Sequence, residues 1–225
     1  MDKIQLHRGA TEPSKPSRMN VVRPNRPSIR KAFQIAWKIY KEHVGLFTAC
    51  MSTFFASWVV LEIIVIAGQR FGALLWLTAH LSFFIVFAGM EVGFMQICLG
   101  IHAGKQLRYA DLFRELRFGA HFLFVQISYF SMVLVGLVLL IVPGAYLGTR
   151  YIFHAHIFAE GNRNLKQNFQ LSAVLSQDSM WFLFWLSVLI MLMNLAGASL
   201  LGIGLLMTVP LSALMKVNIY LQLKG

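Results

Sequence analysis

The chain has 225 residues, 57% of them apolar and only 13% charged, with 20 Lys and Arg against 9 Asp and Glu for a formal net charge of +11. Soluble domains carry about 25% charged residues, so an ordinary water-soluble domain is excluded and hydrocarbon is the natural surrounding of most of this polypeptide. The charges are also bunched: residues 1–44 hold 10 of the 20 basic side chains and four of the six prolines. The positive excess is therefore a matter of membrane topology before it is evidence for nucleic acid.

In chain order, residues 1–27 combine prolines and basic residues with no periodic apolar pattern, and are expected to form a disordered basic tail. No apolar segment suited to a cleaved signal lies there, so the first membrane helix is expected to direct insertion itself. Residues 28–225 are expected to form one six-span membrane domain. At its start, Ile29, Phe33, Trp37, Tyr40 and Val44 recur at helical spacing opposite Arg30, Lys31, Lys38 and Lys41, which predicts an amphipathic helix over 28–44 lying on the membrane surface.

Residues 46–67 then supply 22 residues, about 33 Å of helix, enough to cross a core of about 30 Å. The run over 73–101 is a second span, long enough to require tilt. Residues 118–142 make a third, with Pro143 and Gly144 expected to stop it and allow a tight reversal. A short, interrupted fourth span follows over 145–159. Residues 180–222 are too many for one crossing and are expected to break within the Gly and Ser cluster from Gly197 to Gly204. The resulting fold class is an all-α, six-span transmembrane bundle built as three hairpins. Each hairpin is expected to be preceded by a cytoplasmic, interfacial amphipathic helix, near 28–44, 105–117 and 162–178.

Charge bias agrees with this count. With the N-terminus cytoplasmic, 18 of the 20 basic residues fall on the inner side, leaving Arg70 in an outer turn and Arg150 inside the fourth span. Both termini are then cytoplasmic in a bacterial inner membrane, and anionic lipid headgroups are the expected partners of the basic face. A protein partner or a second copy of the chain is the other partner class; no nucleic acid is expected. Cys50 and Cys98 lie in apolar runs and read as buried thiols.

Ionisable groups within hydrocarbon require a partner or a function. On the second span His80, Glu91, Cys98 and His102 fall within roughly a 40° arc of one helix face. Glu91 and Arg150 lie at matching depths, which predicts that they pair, with His154 one turn further along the Arg150 face. Such a pair either locks two spans together or lines a proton or substrate path. Glu62 and His80 are placed to meet near the outer ends of their spans, although snorkelling to interfacial water serves either group as well. Asn194 reads as an interhelical hydrogen bond, and Lys216 as an amine reaching the headgroups. His154 and His156 are two apart, on opposite sides of a helix, so no metal site is expected, and no cofactor motif is present.

The stretch LVLLIVPGAYLGTRYIFHAHIFAEGNRNLKQNFQLSAVLSQD over 137–178, with AFQIAWKIYKEHVGLF, GKQLRYADLF and TVPLSALMKVNIYLQL, resembles a group of uncharacterised six-helix bacterial membrane proteins. That group is similar to the membrane domain that precedes glycerophosphodiester phosphodiesterase catalytic domains. The resemblance implies an inner-membrane helical bundle and carries over no catalytic residues. The functions expected are a non-enzymatic envelope, assembly or lipid-associated component or, alternatively, a small transporter or permease subunit using Glu91, Arg150 and His154. An enzyme would need polar groups such as His102, Glu160 and Lys166 around one cleft.

Overall fold

The computed structural model describes residues 27–68, 72–200 and 202–225. The expected tail, apart from Pro27, and Arg70 lie outside the described residues. Every described element is helical: α1 (Ile29–Glu42), α2 (Val44–Gly68), α3 (Ala73–His102), α4 (Gly119–Leu139), α5 (Ile141–Arg150), α6 (His154–Ala159), α7 (Leu165–Gln177), α8 (Met180–Ser199) and α9 (Leu205–Lys224). Five of these, α2, α3, α4 with the segment leading into it, α8 and α9, are long and apolar enough to cross a membrane. The break expected between Gly197 and Gly204 falls between α8 and α9, where Gly202 adopts a φ of 77°.

The expected fourth span is divided, and its entry differs from the reading given to Pro143. The chain reverses at Leu140, which is extended with φ −164° and ψ 149°. Pro143 is then the third residue of α5 rather than a stop, because a first-turn N–H has no intrahelical acceptor and its loss costs nothing there. Neither α5, with 10 residues, nor α6, with 6, crosses a membrane alone. Together they retrace α4. A Cβ on Gly136 would lie 2.8 Å from Gly144 Cα near one end, and the Phe158 and Phe122 rings sit 5.0 Å apart near the other.

A broken helix in an apolar setting leaves backbone groups that must find partners. Two serines of α7 supply them. Ser176 Oγ donates to the carbonyl of Arg150 at 2.8 Å, and Ser172 Oγ accepts from the Phe153 N–H at 3.1 Å. The polar character of α7 thus follows from what it covers as well as from where it lies.

The segment over 105–117 is not the expected amphipathic α-helix. It forms two short 3-10 turns, Tyr109–Phe113 and Leu116–Phe118, folded onto the glycine face of α3. Asp111 closes the first by accepting from the Arg108 N–H at 2.7 Å. The backbone approach is close enough that a Cβ on Gly93 would stand 2.1 Å from the Leu112 carbonyl oxygen, and one on Gly119 would stand 2.0 Å from that of Ile85. The spacing of Gly89 and Gly93 therefore admits a loop rather than another long helix.

Helix α1 also departs from a purely surface-lying element. Its buried side chains are Ala32, Ala36 and Tyr40, a stripe of mostly small residues packed on α9, with which α1 makes its main contact. Arg30, Lys31, Lys38 and Lys41 remain exposed, and Phe33, stacked on Trp37, is 38% exposed beside the packed stripe.

The core occupies one half of the molecule. Buried residues of α3 run from Ala88 to Ile101 and those of α9 from Pro210 to Tyr220, while α6 is buried throughout. This is the end at which the described Lys and Arg side chains gather, and it is called the basic end below. At the opposite, apolar end the helices expose their side chains, as at Val138 (79%) and Ile141 (77%).

Candidate functional site

Four helices bring polar side chains together within the packed half. Glu91 of α3 accepts from Gln126 Nε2 of α4 at 3.3 Å, and Gln126 Oε1 lies 2.5 Å from His154 Nε2 of α6. The other ring nitrogen of His154 is 2.8 Å from the Tyr151 carbonyl oxygen. The Tyr129 ring stacks on the imidazole at 4.2 Å, and Tyr129 itself donates to the Gly148 carbonyl at 3.0 Å, which fixes α4 against α5. From α9, the half-buried Lys216 lies within electrostatic range of Glu91, His154 and His156 without closing an ion pair. Glu91 and Gln126 are half-buried and His154 is buried.

Of the groups expected to meet, Glu91 and His154 are joined through Gln126, whereas Arg150 stands apart from Glu91. Its guanidinium bonds the Tyr146 hydroxyl on its own helix, and its Nε has no partner. The cause is the break at Tyr151–Phe153: without continuous helical phase, His154 turns toward α4 while Arg150 keeps to α5. His80 and His102 each bond a carbonyl one turn earlier on α3, those of Trp76 and Cys98, so the predicted stripe is not a connected network. Glu62 is exposed, and among the described residues no bond links it to His80. His154 and His156 do point apart; His156, 1% exposed, sits between the rings of Phe153 and Tyr220, and neither of its nitrogens is bonded. Asn194 accepts from Ser212 of α9 at 3.3 Å, the interhelical bond anticipated. Lys216, expected to reach the headgroups, is half-buried and within electrostatic range of Glu91.

Reading the sequence by its charges missed Gln126. A neutral amide in an apolar span carries the same obligation to find partners as an ion. Its position seven residues into α4 from the basic end, where α4 runs alongside α3 and α6, was the available signal.

Further polar groups tie the basic end together. Arg163 pairs with the buried Glu115 at 2.9 Å while its guanidinium lies over the rings of Phe118 (3.7 Å) and Phe158 (4.6 Å). Glu160 accepts from Tyr220 at 2.7 Å and from Lys224 at 2.5 Å. Of His102, Glu160 and Lys166, the first bonds the Cys98 carbonyl on its own helix, the second bonds α9 and the third is exposed. Cys50 and Cys98 are both free and buried.

No protein-family profile matches the chain, and no curated protein or solved structure is significantly similar to it.

Proposed function

We propose that the protein is a six-pass component of a bacterial inner membrane, with α5 and α6 together forming the fourth crossing and both termini cytoplasmic. We assign it a non-enzymatic role in organising anionic lipid, or an envelope assembly seated on that lipid, at its basic face. The observation that carries this reading is the layout of α1. One stripe, Ala32, Ala36 and Tyr40, is taken up by α9. The neighbouring stripe, Phe33 and Trp37, stays partly open, and the Lys and Arg stripe beyond it is fully exposed. Rotating away from the protein, the helix thus passes from packed to apolar to cationic, the order met on entering a bilayer interface from the side.

A scaffold role is supported by the fate of the charges at the same end, where Glu115, Arg163, Glu160 and Lys224 are consumed in joining segments to one another. A second reading, a small transporter or permease subunit, is favoured by one observation, the hydrogen-bonded chain from Glu91 through Gln126 to His154.

The test is lipid retention by the full chain. Purified from mixed zwitterionic and anionic phospholipid, the protein is expected to retain the anionic species. The fourfold variant Arg30→Gln, Lys31→Gln, Lys38→Gln, Lys41→Gln is expected to lose that preference by tenfold or more, since each interfacial cation contributes about 1 kcal/mol. Equal retention by the two proteins would refute the lipid role.

A further inference from the structure

The geometry around Gln126 limits how many protons the cluster can hold. His154 Nδ1 faces the Tyr151 carbonyl oxygen at 2.8 Å, an atom that only accepts, so Nδ1 carries a hydrogen. In a neutral imidazole Nε2 is then bare and can itself only accept. Gln126 offers it either an amide oxygen or an amide NH₂, since the two exchange by rotation about one bond.

Each choice fixes the state of Glu91. With the amide oxygen toward Nε2 at 2.5 Å, two lone pairs collide unless Nε2 is also protonated; the Gln126 NH₂ then serves a Glu91 carboxylate. With the NH₂ toward Nε2, the amide oxygen faces Glu91, whose carboxyl must then donate. Every atom is satisfied in two arrangements: imidazolium with carboxylate, or neutral imidazole with carboxylic acid. Both hold one proton more than neutral imidazole with carboxylate, the state in which two acceptors are forced face to face. An unsatisfied polar contact of that kind is expensive in a dry interior.

We propose that Glu91, Gln126 and His154 form a binding site for one proton, and that release of that proton passes the Glu91 carboxylate to the Lys216 ammonium. The balance is simple. One N–H or O–H bond breaks, the proton leaves to water, and the hydrogen bond from Gln126 to Glu91 is exchanged for an ion pair between α3 and α9. Beside the site stand Tyr129 from α4 and the Phe169 ring from α7, which stacks on His154 at 6.2 Å, while His156 of α6 points away but lies within electrostatic range and Arg150 of α5 is turned to Tyr146. Among the described residues Lys216 closes no ion pair, and it lies within electrostatic range of Glu91. The site does not depend on the lipid reading, because none of its groups lies on α1.

Proton uptake by the full chain in lipid nanodiscs, followed between about pH 5 and 9, tests the assignment with Glu91→Gln, His154→Asn and the double variant. Either neutral amide lets Gln126 satisfy both neighbours with no added proton. Each single variant should therefore lose the same one proton, and the double variant should lose no more than either alone, the signature of groups acting as a unit. Losses that sum in the double variant, or no loss in either single one, would overturn the proposal. Two measurements hold if those variants do not fold. Lys216→Met removes the cation that receives the carboxylate, so release should move to higher pH by about one unit, a tenfold tighter hold; an unmoved release point rejects the exchange. Histidine ¹⁵N spectra of the unaltered protein should find hydrogen on His154 Nδ1 throughout, and a bare Nδ1 rejects the site.

Discussion

The two ends of this molecule solve the same problem, an apolar chain in an apolar surrounding, in opposite ways. At the basic end a loop folds back onto the glycine face of α3, and polar groups from α3, α4, α6, α7 and α9 answer one another. At the apolar end the hairpins present large side chains outward, as at Val138, Ile141 and Ile203, and are joined by apolar packing and by the close glycine approaches Gly136–Gly144 and Gly197–Gly204. Hydrophobic burial gives no net drive between helices already surrounded by lipid, so close packing and hydrogen bonds must hold them. The basic end has both and should carry most of the stability.

Substitutions sharpen that contrast, read as thermal unfolding of the full chain in detergent. The largest effect is expected for Gly93→Ala, which drives a Cβ into the Leu112 carbonyl, backbone against backbone; overpacking of this kind costs about 3 kcal/mol or more. Gly68→Ala, at the apolar end, meets nothing within 4 Å and should be silent or slightly stabilising. Next comes Glu115→Ala, which strands the Arg163 guanidinium between two rings and should cost about 3 kcal/mol, against less than about 1 kcal/mol for the half-exposed Lys224→Ala. Ser176→Ala removes the bond to the Arg150 carbonyl and should cost about 1 kcal/mol. Val138→Ala, far from any packed neighbour, should change stability by no more than about 0.5 kcal/mol. A large loss from Val138→Ala, with little from Gly93→Ala, would invert the comparison.

Much of the fold was legible because hydropathy reports directly on membrane helices: α2, α3, α4, α8 and α9 begin and end within a few residues of the apolar runs that announce them. What was illegible depended on distant partners. Pro143 reads as a stop only until the reversal at Leu140 makes it a first-turn residue, and the break before His154 is tolerable only because Ser172 and Ser176 arrive from α7. The site was legible in Glu91 and His154, whose cost in hydrocarbon marks them singly. Their connection was not, since it runs through an uncharged amide and across a helix break that turns Arg150 away. Lys216 shows the same limit: its distance along the chain from the helix end suggested escape to the headgroups, while the carboxylate within its electrostatic range belongs to another hairpin.

In the proposed topology α5 and α6 act together as a membrane crossing, with the basic end inside. Leu140→Cys and Gly161→Cys, each placed in a chain whose Cys50 and Cys98 are replaced by alanine, can be labelled in intact cells with a membrane-impermeant maleimide. Labelling at position 140 in intact cells, and at position 161 only after the membrane is opened, is the result predicted. Both positions labelled from the same side would contradict it.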